Sequence, residues 1–340
     1  MITSSEVEKK KRTKAQATGH RRTHRPPLRP KTGDLKTSRA VCRRSDLFVD
    51  GPEAPEGGYD IHYASGRQEG SVVLLAVQNI GLNTHALALL VVLCDLYVQK
   101  KYRIIHNQET GTIRRAITTT PKQLVEAIYG HKGQSSKPSK TYYEVLGLAR
   151  HSNSLGALDA LASVLIKKDS HWLAADGKVH RVVEAFHLID GYRYRQIGRK
   201  EYLQVFLSDA LQAELKDLEE QGQWTLVPQA IVQRLGPKKQ QALRVALHVL
   251  SHAPFSASHT QGITAPHREI GVTALVNIIR PDTHRNPQRY PGRFQGMVQR
   301  IVSTINAADP NHTWYVTSAT SDPLGKVVCL DNPRKQGNLP

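Results

Sequence analysis

Apolar positions along this chain fall into two successive blocks with one grammar, helix, turn, basic helix and strand pair, spanning Leu82 to Leu207 and Arg268 to Leu330. The second block is the clearer. Lys239 to His252 places Leu243, Leu247 and Leu250 on one helical side, Glu269 to Ile279 reads as a second helix, and Pro291 to Asn306 as a third. In the third, Phe294, Val298, Ile301 and Ile305 recur at helical spacing, which leaves Gly296, Gln299, Arg300 and Ser303 on the other face. Trp314 to Thr317 and Val327 to Leu330 are then β-branched, aromatic strand segments joined by a turn-forming Asp322-Pro323-Leu324-Gly325. A helix pair followed by a hairpin is the order of a winged helix.

The first block opens at Val72 to Val77, a short strand or the entry to the next helix, which is capped by Asn83 or Thr84, runs to about Gln99 and is apolar on nearly all sides. Strands over Tyr102 to Ile105 and Thr112 to Thr118 lead to Thr120-Pro121, a helix start with Thr as cap and Pro in the first turn. Helices over Thr141 to Ala149 and Ser154 to Lys167 come next, then strands Val179 to Ile189, Tyr192 to Ile197 and Tyr202 to Leu207, with Asp190-Gly191 as a hairpin turn. Ser208 caps a helix to about Glu220; with Trp224 to Leu235 it forms the connector between the blocks.

These elements predict an α+β fold: two winged-helix domains in tandem with a disordered basic N-terminal arm. The expected boundaries are 1–66 for the arm and linker, 67–207 and 237–333 for the domains, 208–236 for the connector and 334–340 for a tail. The arm shows no hydrophobic periodicity and is rich in Pro and Gly near residues 25–30 and 51–58. Residues 1–44 hold most of the net charge of +18, with 14 Lys and Arg against three acidic residues. Such a charge releases counterions from nucleic acid; ribosomal, membrane-surface and other polyanionic partners, or plain solvation of a tail, fit it equally.

The sequence-reading chemistry sits elsewhere. Arg280, Arg285, Gln288, Arg289, Arg293, Gln299 and Arg300 gather before and on the third helix, with His284, Asn286 and Gln295 among them. Arg pairs bidentately with guanine and Asn or Gln with adenine in the major groove, although the same residues also suit a solvated face. Lys326 on the hairpin suits contact with phosphate or the minor groove, and equally the role of a half-exposed strand charge. In the first block, Lys137, Lys140, Tyr142 and Arg150 surround the loop and the candidate reading helix, which is either Thr141 to Ala149 or Ser154 to Lys167.

Enzymatic patterns are absent where spacing rules would place them. Gly66 to Ser71 lacks the lysine of a phosphate-binding loop, and no His-x-His pair exists to hold a nicking metal. His248 and His252 lie four apart without the intervening glutamate of a zinc protease, and His284, Arg285, Arg289 and Tyr290 supply recombinase residue types without their order. Three scattered cysteines give neither a disulfide framework nor a CxxC zinc site. The apolar run Ala86 to Cys94 is too short to span a bilayer, and no secretory signal opens the sequence. The expectation is a cytoplasmic DNA-binding protein with no metal, cofactor or catalytic residue. A transcriptional regulator, a recombinase or nicking enzyme, and a non-specific basic protein are the alternatives.

The helix Asn83 to Gln99, the Thr120 to Val125 helix start, the strand Tyr202 to Leu207 and the closing Pro291 to Leu330 unit together resemble the tandem winged-helix replication initiators of bacterial plasmids, over residues 70–330. The resemblance implies binding to repeated sites at a plasmid origin on double-stranded DNA, opening of AT-rich duplex, and contact with the host helicase or initiator. It also implies a homodimer, although no heptad zipper is visible in the first domain.

Overall fold

The computed structural model describes residues 33–48, 59–65, 68–75, 82–106, 113–130, 145–148, 156–173, 178–221, 224–236, 239–252, 266–280, 285–319 and 322–332. The chain is an α+β protein whose described strands form four antiparallel sheets. In chain order the elements are β1 (Asp34–Thr37), α1 (Arg39–Arg43), β2 (Tyr59–Ser65), β3 (Gln68–Leu75), α2 (Thr84–Val98), β4 (Tyr102–His106) and β5 (Ile113–Thr119). There follow α3 (Pro121–Tyr129), α4 (Ala157–Ser163), β6 (Leu165–Leu173), β7 (Val179–Phe186), β8 (Ile189–Ile197), β9 (Lys200–Leu207) and α5 (Asp209–Gln221). The chain continues through β10 (Thr225–Pro228), α6 (Gln229–Leu235), α7 (Gln240–Leu250), β11 (His267–Gly271), α8 (Val276–Ile279), α9 (Pro291–Ala308), β12 (His312–Ala319) and β13 (Asp322–Asp331).

Helix α2 is the centre of the first half. Every residue from Ala86 to Cys94 is at most 2% exposed, because β1, α3, α4 and α5 pack around it. Each buried leucine there contributes about 1.5–3 kcal/mol. Asn83 starts the helix by accepting from the Ala86 amide at 2.9 Å, and Thr120 and Gln123 form a reciprocal capping box at the start of α3. Ser208 accepts from the Leu211 amide at the start of α5.

The two blocks do share one sheet order. In the first, β5 lies next to β9 and β9 next to β8; in the second, β11 lies next to β13 and β13 next to β12. Each sheet thus has its earliest core strand beside the last strand of the closing hairpin, with β4 added at the outer edge of the first. Strands β6 and β7 instead extend the β2–β3 hairpin into a separate sheet.

Four local expectations are corrected. Asp190-Gly191 is not a turn: both lie within β8, where the register shifts between Ile189 and Gly191 and the Gly191 φ of 148° accommodates the bulge. The β8–β9 turn falls at Gly198, whose φ is 59°. Asp322 to Gly325 belong to β13, held there because the Asp322 carboxylate accepts from the Thr273 amide and hydroxyl, each at 2.9 Å. Glu269 to Gly271 are strand β11, not helix, paired to β13, and the Ser154 to Lys167 helix ends at Ser163, after which Leu165 begins β6.

The largest correction concerns the arm. Residues 33–48 are folded between the two halves: β1 pairs with β10 from Asp34 opposite Pro228 to Thr37 opposite Thr225, and α1 packs on α7. Leu35, Val41, Cys42, Leu47 and Phe48 are all buried. They anchor a segment too short and too basic for its apolar spacing to register as a period. The Lys36 amide donates to Asp95 at 2.9 Å, and burial pushes the Asp95 carboxyl up to about 6. Strand β2 also lies within the expected linker; residues 1–32 and the tail 334–340 fall outside the described residues. One continuous apolar core runs from Leu35 to Cys329 through both halves.

Candidate nucleic-acid interface

Helix α9 is two-faced. Phe294, Met297, Val298, Ile301, Val302, Ile305 and Ala308 are buried, while Arg293, Gln299, Arg300 and Ser303 are exposed along the opposite side. Between them, Gly296 has nothing within 4 Å of where a Cβ would stand. A glycine inside a helix costs about 1 kcal/mol relative to alanine, and no protein atom here requires that gap. The helix start is exposed as well. Pro291 occupies its first turn, and the Arg293 guanidinium lies over the Tyr290 ring, 4.9 Å from its centroid. Arg293 is thereby steadied while its donors stay in solvent.

The preceding turn is built by Asn286, whose carbonyl accepts from the Arg289 and Tyr290 amides and whose side chain accepts from the Gln288 amide at 2.9 Å. This geometry leaves Gln288 and Arg289 exposed. Arg285, also exposed, reaches the Met297 sulfur at 3.9 Å. With Lys239 and Arg300 it lines a groove of about 420 Å³ between α7 and α9. Arg280 stands apart from this row: it closes α8 in the left-handed conformation, φ 51°, and is half-buried.

Not every candidate is available. Lys326 is engaged by Glu269 at 2.8 Å, an acid that the sequence places in a helix and the structure places on the neighbouring strand. Gln295 donates to the Leu324 carbonyl at 3.1 Å and so ties α9 to the hairpin. Lys137, Lys140, Tyr142 and Arg150, with His284, lie outside the described residues. The sequence reading missed Lys239, whose proximity to Arg285 and Arg300 depends on how α7 crosses α9.

No family model and no curated protein matches the chain. Its fold has a counterpart. The crystal structure of domain 2 and domain 3 of RctB aligns with 87% of this chain and 98% of that one, at a TM-score of 0.50 and 9% sequence identity. The likeness to RctB is one of backbone architecture; the side chains of α9 stand on their own geometry.

Behind the interface, a polar cluster anchors the hairpin. The buried Asp309 carboxylate accepts from the Trp314 indole at 2.7 Å and from His312 Nδ1 at 2.8 Å. Burial pulls the His312 imidazole down, but bonds to Asp309 and Asp331 outweigh it and lift the group to about 9. Arg268 completes the cluster with a 2.9 Å bond to Asp331. The His248 and His252 rings sit 5.0 Å apart, and burial lowers both, His252 to about 4. Among the described residues no group of His, Cys, Asp and Glu is arranged to hold a metal, and no helix is long and apolar enough to cross a membrane.

Proposed function

We propose that this chain binds double-stranded DNA site-specifically and acts as a replication initiator, reading repeated origin sites through two winged-helix units and helping to open the adjacent duplex. The observation that carries the reading is the exposed row Arg293, Gln299 and Arg300 on α9, flanked by Arg285, Gln288 and Arg289 and interrupted only by Gly296. An α-helix fits the major groove, and these are the side chains that discriminate base edges there. At Gly296 the missing side chain lets the DNA backbone or a base edge approach the helix.

The shared fold supports the choice of initiator, since RctB is a replication initiator protein. In this reading the partners are origin repeats, the host helicase or initiator and a second copy of the chain, all met in the cytoplasm. The test is selection of bound sequences from random duplex by the full chain. Recovery of one motif, present as repeats beside an AT-rich segment near the gene, supports the assignment. Enrichment of no motif overturns it.

A further inference from the structure

The sheet β4–β5–β9–β8 has one face against the core; the other is open along its arginines and covered at Ala116, which is 0% exposed. Its register assigns every side chain: Ile117, Leu203 and Val205 point inward and are at most 1% exposed. Their neighbours point outward. Along β8 these are Arg193, Arg195 and Ile197, opposite Gln204, Tyr202 and Lys200 of β9; across β5 and β4, Arg114 lies opposite Ile105, and Ala116 lies opposite Arg103 and Phe206. Arg103, Arg114, Arg193, Arg195 and Lys200 are all exposed. Five cations therefore share this face; the carboxylate these strands place beside it is Asp190, in the β8 bulge near Arg114 and Phe206.

The equivalent sheet in the second half differs. There Val328 is buried on the corresponding face, as is His267, and Lys326 is neutralised by Glu269. The open basic face is a property of the first half alone. It is also not purely ionic: Tyr202 is 37% exposed beside Arg195, and Phe206 faces Gly191, which presents no side chain. Neighbouring strands lie about 4.8 Å apart and alternate residues about 7 Å along a strand, so cations and rings interleave at short intervals.

We propose that this face binds single-stranded nucleic acid, the arginines and Lys200 tracking the backbone and Tyr202 and Phe206 stacking on unpaired bases. A row of cations alone would serve any polyanion; the rings select a ligand with exposed π-faces. A four-stranded face is also too broad for the duplex major groove, which admits a helix or a two-stranded ribbon. The site is separate from α9 and does not rest on the duplex reading.

The experiment measures anisotropy of a labelled oligothymidylate about 15 nucleotides long with the full chain, against poly-glutamate of similar charge and against duplex. The wild type should prefer the oligothymidylate over poly-glutamate. Arg193→Ala/Arg195→Ala should weaken it at least tenfold and reduce the log–log salt slope by about 1.4, two phosphates' worth for a single strand. Tyr202→Ala should lose about fivefold or more while Tyr202→Phe keeps the affinity, and duplex binding should be unchanged in all three. Equal binding of poly-glutamate, indifference to Tyr202→Ala, or a parallel loss of duplex affinity would each overturn the proposal. Failure of duplex binding in the wild type would instead count against the function assigned to α9.

Discussion

Arg244, on α7 and only 2% exposed, donates from Nη1 to the carbonyl of Phe48 at 2.7 Å. The Ser45 hydroxyl returns a bond to the Arg244 carbonyl at 3.0 Å, so the segment 33–48 is fastened to the core of the second half. Arg244→Ala removes a donor from the buried Phe48 carbonyl and leaves a void. An unsatisfied buried acceptor costs about 1–3 kcal/mol, and with the cavity the loss should reach about 3 kcal/mol, read as a lower urea midpoint with unchanged slope.

The His312 cluster predicts alkaline sensitivity. A histidine raised from 6.5 to about 9 in the folded state contributes stability that is complete below about 6.5 and is lost as pH rises through 9. Asp309 and Asp331 are shifted the opposite way: burial opposes, but bonds to His312 and, for Asp331, the Arg268 charge hold both carboxyls low. Their contribution stays present above the ordinary carboxylate range and falls away in acid. Thermal melts from pH 6 to pH 10 should show a decline on the order of 2–3 kcal/mol, and His312→Gln should flatten it. An unchanged alkaline slope in that variant would refute the assignment.

Truncation separates charge from fold. Residues 1–32 carry ten Lys and Arg against two acidic residues; removing them should leave the melting temperature in place and weaken binding to every DNA sequence alike, with a flatter salt slope. Removing residues 1–44 also deletes β1 and α1, uncovers α2 and should abolish cooperative unfolding. Circular dichroism melts of the two truncations distinguish the effects.

Gly296→Ala should raise stability by about 1 kcal/mol through helix propensity, since nothing in the protein occupies the added methyl's place. The same substitution should weaken specific DNA binding if α9 lies in the groove. A gain in stability with full affinity would move the DNA elsewhere.

Arg289→Ala and Arg293→Ala should each cost about 1–3 kcal/mol of discrimination between the selected site and its variants. Lys326→Ala should leave binding unchanged, because Glu269 already holds that ammonium. Competition binding with single-base variants checks both statements.

What could be read in advance followed the range of the interactions. The caps at Asn83, Thr120 and Ser208 and the two faces of α9 are written within a few residues, and they emerged as expected. Asp190-Gly191 has the composition of a tight turn, yet pairing of β8 with β9 recruits it into a bulge. Asp322 has turn chemistry too, but its carboxylate is captured by Thr273, 49 residues away. Lys326 looked available for the same reason: its acid lies on a strand that local pattern cannot distinguish from a helix. The basic face of the first sheet was hidden in the register, which alone puts Arg103 and Arg114 on the same side as the arginines of β8.

The pairing of Asp34 with Pro228 also sets a timetable. Strand β1 leaves the ribosome well before β10 and cannot complete its sheet until β10 has been made, and loop closure over so long a separation is slow. Until then Leu35, Val41 and Phe48 and the flank of α2 beneath them lack their native cover. The nascent protein therefore passes through a stage in which its first half is built but not sealed, and synthesis of β10 and then α7 ends it.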